Sequence, residues 1–125
     1  MIYGIGTDIA AVARLNAMFE RHGMAAVEKL LAPAEWEEFN QTSDKGRFLA
    51  KRFAAKEALG KALGTGVRAP ATLPAIAIIH DDLGKPMFRF SDELAALMQE
   101  KRLAAHLSIS DEQDYAVAFV ILEQS

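Results

Sequence analysis

The chain has 125 residues, no cysteine, and 14 basic against 17 acidic side chains, which gives a formal net charge of −3. This length predicts a single domain over residues 1–125, and the absence of cysteine excludes disulfides, cysteine zinc sites and thiol catalysis. No apolar run approaches the roughly 18 residues that a membrane span needs, and the first ten residues lack the basic start of a signal peptide. We therefore expect a cytoplasmic protein without a membrane span. The acidic total also argues against a nucleic-acid partner.

The overall charge hides a local excess of basic side chains. Residues 44–68 hold seven basic and two acidic side chains, a net charge of +5, whereas the rest of the chain holds seven and 15, a net charge of −8. A basic block inside an acidic chain indicates either a solvated helix face or a site for one anionic ligand.

The first third of the chain predicts one strand and three helices. Residues 2–9 are rich in isoleucine and contain two glycines, which is typical of a strand that another group approaches closely. Apolar side chains recur at helical spacing over residues 11–22 and 24–31, and Pro33 suits the first turn of a helix that runs to about Asn40.

The rest of the chain predicts the longest helix and two hairpins. Residues 47–63 form that helix, because glycines follow it where a helix typically ends. Residues 75–80 and 87–90 predict one hairpin, Ser91 caps a helix that ends near Arg102, and residues 106–110 and 115–122 predict a second hairpin. Hairpins pair strands antiparallel, so the predicted class is α+β, with a small antiparallel sheet packed against the long central helix.

The long helix carries charges where a core stripe is expected. Arg52 and Lys56 fall inside its apolar arc, so either their stems reach the surface or an anion meets them. Glu57 and Lys61 lie one turn apart on the flank of this arc, as an ordinary surface ion pair or as functional groups. The apolar arc itself consists of Phe48, Leu49, Phe53, Leu59 and Leu63.

Asp8 is the second candidate functional residue, because it follows two glycines in a strand of isoleucines. If the fold brings Asp8 and Glu57 together, two carboxylates beside cationic groups suit Mg²⁺ bound together with a phosphate. The turn formed by Gly64, Thr65 and Gly66 either ends the long helix or presents backbone N–H groups to an anion.

Three segments have an order and a spacing that match a known family. They are GIGTDI at residues 4–9, RFAAKEA at 52–58 with KALGTG at 61–66, and HLSISD at 106–111. In these segments the chain resembles holo-[acyl-carrier-protein] synthase, the short bacterial class of 4′-phosphopantetheinyl transferases. The resemblance covers nearly the whole chain.

The resemblance implies a reaction in fatty acid biosynthesis. The phosphopantetheine arm of coenzyme A passes to a serine of apo-acyl-carrier-protein, and adenosine 3′,5′-bisphosphate is released. The resemblance also implies Mg²⁺ held by Asp8 and Glu57, and a homotrimer that binds coenzyme A between subunits. Lys61 suits neutralisation of the diphosphate. Either Glu57 or a water molecule on the metal could accept the serine proton.

Further contacts with the two substrates are expected on the same basis. Candidate coenzyme A contacts are Lys56 and the turn from Gly64 through Thr65 to Gly66. The strand with His106 and Ser108 would line the cleft from the adjoining subunit. The acidic carrier protein needs a basic docking surface, and the candidates for it are Arg14, Arg21, Lys45 and Arg47. Asp111 stands where many members of the family carry histidine, which argues against an essential imidazole there.

Two alternative functions use the same residues. A non-catalytic module that binds coenzyme A or a nucleotide and docks an acidic partner would use the basic block without needing paired carboxylates. A small Mg²⁺-dependent nuclease or phosphatase would need more acidic ligands near Asp8 than the sequence places there.

Overall fold

The computed structural model describes residues 1–125, which form five strands, five helices and two short 3₁₀ turns. The strands are β1 (Ile2–Ala11), β2 (Ile76–His80), β3 (Pro86–Phe90), β4 (Leu103–Asp111) and β5 (Tyr115–Gln124), and the helices are α1 (Val12–His22), α2 (Met24–Leu30), α3 (Trp36–Gln41), α4 (Lys45–Leu63) and α5 (Asp92–Glu100). The 3₁₀ turns are Pro33–Glu35 and Leu73–Ala75.

The strands form two antiparallel units. β1, β5 and β4 make one sheet in that order, and β2 pairs with β3 in a separate hairpin. Register places Asp8 opposite Ala118 and Ala118 opposite Ile109, so these residues form one row across the sheet. The predicted α+β class is confirmed, with a small antiparallel sheet against a long helix.

Helix α4 lies across one face of the three-stranded sheet, and two glycines of β1 make this possible. A Cβ atom on Gly4 or Gly6 would collide with the backbone carbonyl oxygens of Ala62 and Ala58. The close approach that the glycines predicted is therefore made by α4 of the same chain.

Helix α4 is buried on more sides than a helical wheel predicted. Its alanines, including Ala54 and Ala58, are as buried as Leu49 and Leu59, whereas Phe53 is only partly buried. The sheet covers one side of the helix, while α1 and β2 of the hairpin cover others. Small side chains permit these close approaches, so alanines as well as leucines face the core.

The opposite face of the sheet carries exposed apolar side chains. The exposed fraction is 59% for Ile5, 60% for Ile9 and 43% for Phe119, and Tyr115 and Val117 are exposed on the same side. A single chain leaves this face without a covering layer.

Element boundaries differ from the predicted ones mainly in three places. The helix predicted from Pro33 divides into a 3₁₀ turn and α3, and α5 ends at Glu100 rather than near Arg102. β4 begins at Leu103 rather than at His106. Ser91 caps α5 as predicted, because its Oγ accepts the N–H of Leu94 at 3.4 Å. No helix of the structure has both the length and the apolar composition to cross a membrane.

Candidate functional site

Asp8 lies on the face of β1 that α4 covers. Its carboxylate is largely shielded, with a side-chain exposure of 17%, and Lys61 Nζ lies 3.0 Å from Oδ1. Lys61 also donates to the backbone oxygen of Thr7 at 2.9 Å, and its side chain remains 53% exposed. The ammonium of Lys61 therefore bonds to Asp8 rather than to Glu57, with which a surface pair was considered.

Glu57 projects from α4 into the neighbourhood of Asp8. Partial burial raises the pKa of Glu57 above its ordinary value, and the negative charge of Asp8 raises this pKa further. The positive charges of Lys61 and Arg14 oppose both effects. The fold thus brings Asp8 and Glu57 together, although they are 49 positions apart in sequence. This convergence was the condition for a shared site.

Asp8 and Glu57 place two carboxylates near each other, with the Lys61 ammonium beside Asp8. Two neighbouring carboxylates repel each other, and a hard cation that binds both relieves the repulsion. No group of three or more His, Asp or Glu side chains is placed to hold a metal ion. Asp8 and Glu57 would hold Mg²⁺ only together with water and substrate phosphates, since this ion typically uses one or two carboxylates.

The structure contradicts the prediction that Lys56 binds the coenzyme. Lys56 is fully buried, and its ammonium donates to Glu35 at 2.6 Å and to the carbonyl oxygens of Leu30 and Leu73 at 2.7 and 3.0 Å. Burial lowers the pKa of Lys56 to about 8, while the charge of Glu35 opposes this shift. Of the two explanations for cations in the apolar arc, an internal anion is the correct one.

Glu35 is the buried residue that the sequence analysis missed. Its carboxylate also accepts the N–H of Ala32 at 2.9 Å, which is the glutamate half of a capping box. Arg52 lies 3.6 Å from Glu35 and 2.9 Å from Glu38. The available signal was Glu35 three residues after the cap position of the helix predicted from Pro33. Ala32 at that cap position, in place of serine or threonine, obscured it.

The turn after α4 does not provide the predicted set of free N–H groups. The N–H groups of Gly64 and Gly66 donate to the carbonyl oxygens of Lys61 and Gly60, both at 3.0 Å, and Thr65 Oγ1 donates to the oxygen of Gly66. Gly64 and Gly66 have φ values of 82° and 73°. Their primary role is therefore to end the helix.

Lys45 and Arg47 form hydrogen bonds to other segments of the chain. Lys45 Nζ donates to the carbonyl oxygens of Phe39 and Thr42 at 2.7 and 2.9 Å. Arg47 bonds to Asp44 and Asp111, and to the carbonyl oxygens of two residues in the β4–β5 turn, Glu112 and Gln113. These bonds fix the positions of both cations, and they give Asp111 a role in fixing the β4–β5 turn to α4.

Arg14 and Arg21 remain available on α1. Both are exposed, and the guanidinium of Arg14 lies over the ring of Phe53 at 5.3 Å. Beside them is a cavity of about 230 Å³ between α1, α2 and α4. Its lining is mostly apolar and consists of Met18, His22, Ala25, Ala26, Lys29, Leu30, Phe53 and Leu73.

His106 and Ser108 lie on the outer face of the sheet. Ile109, which is in the same row as Asp8, faces α4, so the alternation along β4 points His106 and Ser108 away from α4. His106 Nε2 lies 3.0 Å from Glu123 Oε1. One chain does not bring these two residues to Asp8 and Glu57.

A larger cleft of about 590 Å³ lies at the other edge of the sheet. Arg47, Lys51 and Arg52 of α4 line one side of it, and Ile78, Ile79 and His80 of the hairpin line the other. Asp44 and Glu38 also line it and pair with Arg47 and Arg52. We call it the basic cleft. Ile109 also lines it, two strand spacings or about 10 Å across the sheet from Asp8. Burial and the charge of Arg52 lower the pKa of His80.

Comparison with known proteins agrees with this geometry. Residues 4–120 match the family model described as 4′-phosphopantetheinyl transferase superfamily. Holo-[acyl-carrier-protein] synthase of Dechloromonas aromatica (strain RCB) is 66% identical over 125 residues, covering 100% of both chains. The crystal structure of the Neisseria meningitidis holo-[acyl-carrier-protein] synthase superposes with a TM-score of 0.96 at 44% identity, covering 99% of this chain and 100% of that one.

A third comparison includes a ligand. The crystal structure of a holo-(acyl-carrier-protein) synthase from Bacillus anthracis str. Ames in complex with CoA (3′,5′-ADP) has a TM-score of 0.84 at 36% identity, covering 100% of this chain and 99% of that one. Sequence and structure thus agree over the full length, and the chain belongs to the holo-[acyl-carrier-protein] synthase family of the 4′-phosphopantetheinyl transferase superfamily.

Proposed function

We propose that residues 1–125 form a single domain that transfers the 4′-phosphopantetheine arm of coenzyme A to a serine of apo-acyl-carrier-protein. The serine oxygen forms a bond to the phosphorus that carries the pantetheine, and the bond from that phosphorus to the bridging oxygen breaks. Adenosine 3′,5′-bisphosphate leaves with that oxygen, and the serine proton is passed to a base. The observation that carries the proposal is the convergence of Asp8, Glu57 and Lys61 beside α4.

Asp8 and Glu57 would hold Mg²⁺, because their mutual repulsion in a partly buried site favours a bound cation. When bound, this ion supplies positive charge that stabilises the diphosphate as negative charge develops on the leaving group.

Lys61 and Glu57 have further roles in the proposed reaction. Lys61 is half exposed and anchored by Asp8 and the backbone of Thr7, so its ammonium can contact a phosphate oxygen without losing its own position. The serine proton would pass to Glu57 or to a water molecule beside it.

Coenzyme A would bind between copies of the chain, in a homotrimer. Two observations support this: the exposed apolar face of the sheet with Ile5, Ile9 and Phe119, and the position of His106 and Ser108 on that same face. An area of this kind commonly marks a protein interface. Packing of copies through this face would place His106 and Ser108 between subunits, where the resemblance expects coenzyme A.

The carrier protein would dock on α1. Arg14 and Arg21 offer exposed positive charge for an acidic partner, and the apolar cavity beside them accepts a hydrophobic side chain. The reaction would supply active carrier protein for fatty acid biosynthesis in the cytoplasm.

The test combines the purified chain with coenzyme A, Mg²⁺ and apo-acyl-carrier-protein, followed by intact-mass spectrometry and nucleotide chromatography. We expect the carrier to gain the mass of one phosphopantetheine group, with one adenosine 3′,5′-bisphosphate released per carrier modified. A chelator should stop both.

Two other outcomes identify the alternatives. A non-catalytic binder would hold coenzyme A equally well in chelator and release no nucleotide. A nuclease or phosphatase would release a nucleotide fragment or free phosphate without modifying the carrier. Either result, with an unmodified carrier, overturns the proposal.

A further inference from the structure

The buried ion cluster of Glu35, Lys56 and Arg52 binds the edge of the β2–β3 hairpin. The exposed fractions of these three residues are 1%, 0% and 3%. Glu35 Oε2 accepts the N–H of Ile78 at 3.1 Å, and Arg52 NH1 donates to the carbonyl oxygen of Ile78 at 3.0 Å. Both backbone groups of one β2 residue are therefore bound by charged side chains.

These bonds replace a neighbouring strand. β2 pairs with β3 on one edge only, and the hairpin is not part of the three-stranded sheet. The backbone groups of Ile78 face the open edge, where another strand would otherwise pair. Glu35 and Arg52 supply the acceptor and the donor that such a strand would offer.

The cluster also connects the segments around the hairpin. Lys56 binds the carbonyl oxygen of Leu30 at the end of α2 and that of Leu73 in the 3₁₀ turn that leads into β2. No buried side-chain nitrogen or oxygen of the structure lacks a hydrogen-bond partner. A fully satisfied buried network of charges allows only one relative placement of the elements it joins.

The placement of the hairpin shapes the basic cleft. Ile78, Ile79 and His80 form the wall opposite the side chains of Arg47 and Lys51, so a shift of β2 changes the width of the cleft. We infer that Glu35 is a positioning residue: through Arg52 and Lys56 it fixes β2 relative to α4 and thereby sets the affinity of the cleft for the anionic nucleotide part of coenzyme A. The link to coenzyme A rests on the function proposed above.

The test compares Glu35→Gln with Glu37→Gln. Glu35→Gln keeps the side-chain length but removes the charge that holds Lys56 and Arg52, whereas Glu37 is exposed on α3 and does not line the cleft. For Glu35→Gln we expect amide exchange at Ile78 and KM for coenzyme A both to rise at least about tenfold, with kcat within about twofold. Glu37→Gln should change each quantity less than about twofold.

A double variant separates positioning from general stability. Glu35→Leu with Lys56→Met replaces the buried pair by apolar side chains, which commonly restores thermal stability. It cannot restore the bond from Glu35 to the Ile78 N–H, so KM for coenzyme A and exchange at Ile78 should stay raised even where Tm recovers. If KM for coenzyme A and exchange at Ile78 returned to wild-type values together with Tm, the cluster would only stabilise the fold. That result would overturn the inference.

Failure of the inference is distinct from failure of the proposed function. If the wild type transfers no phosphopantetheine, the proposed function fails, while exchange at Ile78 in the free protein still decides whether Glu35 positions the hairpin. If transfer occurs and Glu35→Gln matches the wild type in exchange and KM, the inference alone is wrong.

Discussion

Helix α4 contributes side chains to two clusters of carboxylates and cations, one buried and one partly exposed. In one, Glu35 and Lys56 are fully buried and every donor and acceptor has a partner within the chain. In the other, Asp8 and Glu57 are only partly buried, and Lys61 is half exposed. Residues 56 and 57 are adjacent in sequence, yet one side chain points into the core and the next into a site.

The comparison shows why proximity of opposite charges does not by itself indicate a ligand site. Breaking a buried ion pair leaves an uncompensated charge in a medium of low polarity, so such a pair resists exchange with a ligand. A partly exposed pair contributes little to stability, about 1 kcal/mol or less. The side chains of the exposed cluster can therefore change partners when a metal ion or a phosphate arrives.

The largest predicted effect is loss of transfer in the exposed cluster. Asp8→Asn and Glu57→Gln should each lower kcat/KM about 1,000-fold, because each removes a carboxylate that would hold Mg²⁺. Intact-mass kinetics of carrier modification measure this, and circular dichroism checks the fold. Transfer within about tenfold of the wild type in either folded variant would contradict the metal assignment.

The second prediction concerns stability in the buried cluster. Lys56→Met should lower the free energy of unfolding by about 3 kcal/mol, because the Glu35 carboxylate loses its closest cation. Urea denaturation measures the change. Lys51→Met is the matched control: Lys51 lies 3.9 Å from Asp111 and is partly exposed, so it should cost less than about 1 kcal/mol. Equal losses in the two variants would refute the structural role of Lys56.

The third prediction concerns carrier-protein binding by exposed cations, compared with a cation that is hydrogen-bonded within the chain. Arg14→Ala and Arg21→Ala should each raise KM for the carrier protein about tenfold at low salt, because both guanidinium groups are exposed. Lys45→Ala should leave this KM within about twofold, since its ammonium is bound to backbone oxygens. The salt dependence of KM distinguishes docking charge from other effects. A larger change for Lys45→Ala than for Arg21→Ala would place the docking surface at the start of α4.

The smallest predicted effect is a gain in stability of the metal-free protein. The pKa of Glu57 is raised in the folded state, so the folded chain holds a proton that the unfolded chain has released, and stability falls as pH rises through the folded pKa. Glu57→Gln removes this cost. Since solvent screens the partly exposed carboxylate, the free energy of unfolding near neutral pH should rise by less than about 1 kcal/mol. Below the unfolded pKa the difference should vanish. Thermal melts in chelator from acid to neutral pH provide the measurement, and a destabilised variant at neutral pH would contradict the electrostatic assignment.

The sequence predicted the elements and the exposed cluster better than the buried one. Hairpin turns, the Ser91 cap and the glycines after α4 are local signals, so the order and class of the elements followed from them. Asp8 and Glu57 became candidates through their places in the strand and on the long helix, and the match of two motifs to one family added their expected role, which stays a prediction. Lys56 was assigned wrongly because its anion, Glu35, lies 21 residues away and meets it only through tertiary packing. The bond from Arg47 to Asp111 was missed for the same reason, since Asp111 is 64 residues away.

The most direct test of the contrast between the two clusters uses Mn²⁺ in place of Mg²⁺ with coenzyme A, followed by NMR of the backbone amides. Paramagnetic broadening should be strongest at Asp8 and Glu57 and their sequence neighbours in β1 and α4. Amides of Glu35 and Ile78, which belong to the buried cluster, should be broadened less than those of Asp8 and Glu57. Broadening centred on Glu35 or Ile78, or uniform broadening without a maximum near Asp8, would contradict the assignment of the metal and phosphate site to the exposed cluster.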